Sequence, residues 1–206
     1  MKVKTKIIKV KGDWKEVLND CRFTANKGDL DKDPSDEFKQ GILIAEHSPI
    51  RDIIFKWEWI NIPHWTVVHW VRHKWEKYVQ TQRTDRTGVD RGSLTQDVPS
   101  SMRGEANIQH LIDTMRKRLC FMASPETREE AESLKMAITI EDPFVGDVMV
   151  PNCIYRCGCP EGKKGCKFFE QYQSFFKGMA SEEMDITNIR DRYAVYNVMF
   201  YSRQEE

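Results

Sequence analysis

Ile53-Ile54-Phe55-Lys56-Trp57-Glu58-Trp59 is the stretch that decides the fold class. Phe55, Trp57 and Trp59 fall on one side of an extended chain and Ile54, Lys56 and Glu58 on the other, because successive strand side chains point to opposite faces. Three large aromatic side chains on one face need a covering layer, and helical patterns flank the strand. Upstream, Phe38, Ile42 and Ala45 stand at helical spacing after Ser35, and the pattern stops at His47-Ser48-Pro49, since proline disfavours helix in the residue before it. Further back, residues 3–10 (VKTKIIKV) read as a second strand, 14–22 as a short helix, and 27–36, rich in Gly, Asp and Pro, as a loop.

Downstream, Asn61-Ile62-Pro63 fits a helix start and no breaker follows, so one long helix is expected over residues 63–78. Residues 80–99 hold Gly88, Gly92 and Pro99 and read mostly as loop, with Ser100 or Ser101 expected to begin the turn into a second long helix over 105–122. Ser124-Pro125-Glu126 is a fresh helix start, Ser124 capping and Pro125 in the first turn, and that helix runs to Ile140. A cysteine-rich loop, an aromatic segment at 168–176 and a tail of strand-like composition at 193–201 complete the chain.

Bulk composition narrows the function classes. At 206 residues and 40% apolar content the chain suits one domain with a proper core. Lys plus Arg equals Asp plus Glu at 32 each, so no global field draws in a polyanion, which argues against nucleic acid and leaves phosphate binding to locally placed cations. The start, MKVKTKIIKVKGDW, interleaves basic with apolar residues, and no run approaches membrane-spanning length, so a cytoplasmic protein without a membrane partner is expected. Of six cysteines, Cys21 and Cys120 stand alone while Cys153, Cys157, Cys159 and Cys166 are bunched. That spacing fits a structural zinc held by the bunched four, or free reduced thiols, better than a disulfide scaffold.

On the expected first long helix, His69, Arg72, His73 and Glu76 fall at i, i+3, i+4 and i+7, a stripe of two imidazoles, a guanidinium and a carboxylate edged by Trp65, Trp70 and Trp75. A solvated face is the bland alternative. Thr81-Gln82-Arg83-Thr84-Asp85-Arg86 supplies hydroxyls, an amide and guanidiniums able to fork around a phosphate. The second long helix is expected to bring Asn107, His110, Leu111, Thr114 and Arg118 to one face, with Asp113 and Lys117 beside them.

In order along the chain, these residues resemble the flavin-dependent thymidylate synthases over roughly residues 14–140. Cys21-Arg22-Phe23-Thr24 is similar to that family's Ala-Arg-Val-Ser turn, and Glu46-His47-Ser48-Pro49-Ile50 to its His-x-Thr/Ser-Pro-Phe. Arg72-His73-Lys74 resembles the opening of the signature Arg-His-Arg-x-x-Ser-x-Asn-Glu-x-Ser-x-Arg, and residues 81–86 match its second half after a two-residue insertion. Asn107, Arg118, Ala123, Glu126 and Arg128 match the family's later helical motifs without gaps, and Arg91 with Leu94 resembles its Ala-Arg-x-x-Leu-Pro segment.

The resemblance implies an α/β (α+β) fold in which a central mixed sheet is packed with helices, with residues 1–150 forming the family-like domain and 151–206 a cysteine-rich, aromatic extension packed on it. It implies a homotetramer with shared active sites that methylates dUMP to dTMP, using FAD, methylenetetrahydrofolate and NADPH. By motif position, Ser48, Arg72, His73, Lys74 and Asn107 would bind FAD, while His69, Gln82, Thr84, Arg86, Arg91 and Arg118 would bind dUMP, with Arg118 and His73 catalytic. The chain departs from the pattern at Gln82, Thr84, Lys74, Gln109 and Asp113, and its 86–91 segment is short. A flavin enzyme adding another one-carbon group to a pyrimidine nucleotide, and a noncatalytic nucleotide- or nucleic-acid-binding protein with a zinc module, are the competing readings.

Overall fold

The computed structural model describes residues 3–181 and 183–205; Met1 and Lys2, at the start of the basic leading stretch, lie outside them. The chain runs β1 (Thr5–Lys11), α1 (Trp14–Thr24), α2 (Asp36–Ala45), a 3-10 turn (Ser48–Asp52), β2 (Ile54–Pro63), α3 (His64–Trp70), β3 (Glu76–Val79) and α4 (Thr84–Thr87). It continues through β4 (Pro99–Asn107), α5 (Ile108–Arg118), α6 (Pro125–Glu141), α7 (Pro143–Asp147), α8 (Asn152–Tyr155), α9 (Phe168–Met179) and α10 (Ile189–Glu205). The α+β class and the central sheet packed with helices are as expected. The sheet has the order β1-β2-β4-β3, and each pairing is antiparallel rather than mixed.

The alternation in β2 sets the layers. Phe55, Trp57 and Trp59 are fully buried towards the helices. The opposite face carries the ion pairs Lys11–Glu105, Lys56–Glu105 and Arg103–Glu58, the usual arrangement of an antiparallel sheet with one wet side. Trp57 lies opposite Gly104 of β4. A Cβ at Gly104 would come within 2.2 Å of the Trp75 ring and 2.3 Å of the Trp57 ring, so the two indoles meet, centroids 4.7 Å apart, in space that only glycine leaves open.

Three sequence expectations fail here, each for a packing reason. The helix over 63–78 stops at Trp70, and the chain turns back as β3 along the free edge of β4. Trp70 and Trp75 are both buried, yet residues five apart sit about 140° apart on a helix, so only a turn lets both indoles join Trp57 and Trp59. Ser100 and Ser101 do not begin a helix; Ser100, Met102, Gly104 and Ala106 alternate as the buried side of β4, and α5 starts only at Ile108. The 193–201 tail is helical, because Tyr193, Tyr196 and Phe200 bury one face of α10 despite their strand-like composition.

One continuous hydrophobic core joins β2 and β4 to α5, α6, α9 and α10. No helix among the described residues is long and apolar enough to cross a membrane.

Candidate functional site

Two elements bring the chemistry-bearing residues together, the turn after α3 and the carboxyl end of α5. Asn107 caps α5, its Oδ1 accepting from the His110 amide at 2.9 Å. Ile108, Leu111, Ile112 and Met115 bury the inner face of α5 in the core, which leaves His110, Asp113 and Lys117 along its outer edge. After Trp70 the chain makes a tight turn, with the His73 amide donating to the Trp70 carbonyl at 3.1 Å. Arg72, His73 and Lys74 therefore sit on a turn, and the helical stripe through Glu76 does not form; Glu76 belongs to β3.

The turn nonetheless faces α5. Arg118 Nε donates to His73 Nε2 at 2.7 Å and its Nη2 to the His69 carbonyl at 2.6 Å, while the Trp70 ring lies under the guanidinium at 5.8 Å. A guanidinium only donates, so His73 Nε2 is the acceptor and the ring proton sits on Nδ1. Burial, followed by the positive charges of Arg118, Lys117 and Lys77, lowers the His73 pKa to about 4, so the ring is neutral at physiological pH. Two of Arg118's five donors are thus fixed, and Nη1 makes no hydrogen bond among the described residues.

Behind this pair lies a polar chain from α6. Ser124 Oγ donates to Thr127 Oγ1 at 2.7 Å, and Thr127 Oγ1 lies 2.8 Å from His69 Nδ1. Burial, then Arg118 and Arg72, lower the His69 pKa. Ser124 spends its hydroxyl here and makes no side-chain cap to the α6 backbone. Fully buried Glu130 takes the Trp70 indole N–H and stands 2.7 Å from Thr66 Oγ1, which also lies 2.8 Å from the Pro63 carbonyl. The Thr66 hydroxyl has a single proton and Pro63 O can only accept, so both contacts are satisfied together when Glu130 is protonated. Burial, the largest influence, raises the Glu130 pKa to about 7 in agreement with that reading.

In front of the turn is a cleft of about 440 Å³ lined by Arg72, His73 and Lys74, by His110, Asp113 and Lys117 of α5, and by Tyr155 and Arg156. Arg116, also on its wall, is spent: it pairs with Glu46 and Asp113 and lays its guanidinium on the Tyr155 ring at 3.5 Å. Arg72, Lys74, Lys117 and Arg156 form no ion pair among the described residues, so the cleft presents four uncompensated cations in a chain of zero net charge. Such a set favours a phosphate or diphosphate. Asp113, where the resemblance has His or Asn, is occupied with Arg116, and Gln109 instead binds Glu46 at 2.7 Å.

The expected site residues divide into two groups. Arg72, His73 and Lys74 share the cleft, and His69 and Arg118 adjoin it. Asn107 is committed to capping α5, and Ser48 stands exposed at the head of the 3-10 turn. Thr84, Arg86 and Arg91 are exposed on the 80–98 segment with Gln82 half-buried, and no hydrogen bond or ion pair among the described residues links them to His69 or Arg118. Thr84 Oγ1 accepts from the Arg91 amide at 3.2 Å, so those two at least lie together.

The bunched four cysteines do not form the expected set: Cys157 turns its thiol to the Ile186 carbonyl at 3.5 Å. Among the described residues no three His, Cys, Asp or Glu side chains stand ready around one metal position. The sequence reading missed Tyr155 and Arg156, which carry no local signal. It also missed Glu130, whose place on the apolar stripe Thr127-Ala131-Leu134-Ile138 of α6 was legible.

No family model matches the chain, and no curated protein matches it. Among solved structures, it is similar to a UMP/dUMP methylase, PolB, from Streptomyces cacaoi. The form bound with 5-Br dUMP aligns at a TM-score of 0.57 and 12% identity, covering 71% of this chain and 94% of that one. The form bound with 5-Br UMP aligns at a TM-score of 0.56 and 12% identity, over 71% and 92% of the two chains. At that identity the likeness shows a shared fold.

Proposed function

We propose that the chain methylates a pyrimidine nucleotide, dUMP to dTMP, in a flavin-dependent reaction that takes its carbon from methylenetetrahydrofolate and its electrons from NADPH. The observation that carries this reading is the neutral His73 bound to Arg118 at the head of a cleft with four uncompensated cations. Fold likeness to a nucleotide methylase supports it. The donor set fits FAD, since a diphosphate needs several fixed cations and Arg72, Lys74, Lys117 and Arg156 supply them. When bound, FAD supplies the hydride chemistry.

The protein's own part is positioning and electrostatics. Arg118, locked by His73 and the His69 carbonyl, presents Nη1 to the uracil carbonyls and stabilises negative charge on the ring. His73 works as a hydrogen-bond acceptor and not as an acid, because its proton affinity is suppressed. Gln82, Thr84, Arg86 and Arg91 hold the nucleotide phosphate and sugar of a neighbouring copy in a homotetramer, a role that suits the exposure of Thr84, Arg86 and Arg91.

The test supplies the purified protein with FAD, NADPH, methylenetetrahydrofolate and either dUMP or UMP, and follows product by mass. UMP is included because the PolB structures hold analogues of both nucleotides. Expected are an oxidised-flavin absorbance band and a methylated nucleotide whose formation Arg118→Ala abolishes. A protein that takes up no FAD, or that leaves both nucleotides unchanged, refutes the reading.

A further inference from the structure

A recess of about 260 Å³ adjoins the cationic cleft and shares Arg116, Lys117 and Asn152 with it; Cys120, Cys153, Cys159 and Cys166 line it together. They come from three segments: the turn after α5, helix α8, and the two ends of the 159–166 loop. All are free thiols. Their thiols open into this one recess, whereas Cys157 is not among its lining residues and turns its thiol to the Ile186 carbonyl.

The loop is built to bring the sulfurs inward. Cys157 at φ 53° reverses the chain, so that the Gly158 amide returns to the Cys153 carbonyl at 2.9 Å. Gly162 at φ 55° turns it again, and the Gly165 amide closes on the Gly162 carbonyl at 3.1 Å. Cys159 Sγ then rests against Gly165, where a Cβ would stand only 2.5 Å from it, next to Cys166. Lys117 and Arg118 wall the recess against the single acid Glu161, with Arg116 beside them already paired to Glu46 and Asp113. Four thiolates around a divalent ion carry a net charge of two minus, and those cations are placed to offset it.

We propose that Cys120, Cys153, Cys159 and Cys166 form a four-thiolate site for a thiophilic divalent ion of the zinc class, with Cys120 in the place the sequence spacing gives to Cys157. The thiols are not yet at ligand distance from one point. Closing around an ion therefore requires the side chains to turn, and rotation about χ1 carries a sulfur about 3 Å between staggered positions. Binding replaces four S–H bonds by four metal–sulfur bonds and releases four protons to solvent. The ion would tie the end of α5, and with it Arg118, to the 153–166 segment. This inference does not depend on the nucleotide reading.

The full-length protein, purified under reducing conditions without chelator, should contain one zinc per chain, and Co2+ exchanged for it should give thiolate charge-transfer and tetrahedral ligand-field bands. Cys120→Ser should weaken metal binding by more than roughly tenfold, while Cys157→Ser leaves it unchanged. A variant-free measurement guards against misfolding: alkylation read by mass should label Cys21 and Cys157 first, and a chelator should accelerate labelling of Cys120, Cys159 and Cys166. A chain with neither zinc nor a Co2+ spectrum overturns the proposal. So do equal losses in Cys120→Ser and Cys157→Ser, and labelling rates indifferent to chelator.

Discussion

Replacing Glu130 by Gln should stabilise the protein at pH 8 and leave it nearly unchanged at pH 4.5. Glu130 is fully buried, and burial lifts its carboxyl from 4.5 to about 7. A raised acid pKa means that the native state binds a proton more tightly than the unfolded chain. Stability is then full below the unfolded pKa and falls as pH rises, levelling off above about 7. A displacement of that size corresponds to about 3 kcal/mol lost between pH 4.5 and 8. Gln keeps the geometry: its carbonyl accepts the Trp70 indole N–H, and its amide donates to Thr66 Oγ1, which keeps its own proton on the Pro63 carbonyl. The variant therefore avoids the ionisation penalty without orphaning a partner. Urea unfolding of both proteins at pH 5 and 8 measures it, and the difference between them cancels the opposing contribution of His73, whose lowered pKa removes stability as pH falls below 6.5. A Glu130→Gln variant no more stable than wild type at pH 8 would refute the reasoning, as would an offset that does not change with pH.

Lys135 is fully buried, donating to the Gly146 carbonyl at 2.6 Å and to Asn197 Oδ1 at 2.7 Å, and burial lowers its pKa to about 7. Folding then sheds a proton above that pH, so stability should rise from pH 7 towards 10, and Lys135→Met should abolish the rise in chemical unfolding. Gly104→Ala drives a methyl into two caged indoles and should cost about 3 kcal/mol, at the upper end for overpacking; an unshifted melting temperature would contradict the packing described for Trp57 and Trp75. Arg118→Ala should abolish nucleotide turnover with an unchanged far-UV spectrum and raise the His73 pKa, since the Arg118 charge helps to depress it. NMR titration of the imidazole reads that shift, and a His73 pKa still near 4 would show burial alone to be responsible.

Much of the fold was legible because it rests on local pattern. The alternation of Phe55, Trp57 and Trp59, the Ser35 cap of α2 and the Ser124-Pro125 start of α6 are properties of short windows, and each element stands where those windows place it. His73 and Arg118 were also singled out from the sequence and meet in the structure, although the helix expected to carry the 72–74 triplet ends at Trp70. Local pattern has no access to what a distant segment offers. The free edge of β4 and the glycine at 104 decided that the chain should turn after Trp70, because there both indoles could be buried and the backbone of 76–79 could be paired. The same holds for the thiols. Spacing grouped Cys157 with its neighbours in sequence, and only folding showed that Cys120, far away in the chain, occupies the recess while Cys157 points elsewhere. Sequence determined which residues could act, through their chemistry and local periodicity. Tertiary structure decided which of them meet, since burial and pairing are satisfied across the whole chain at once.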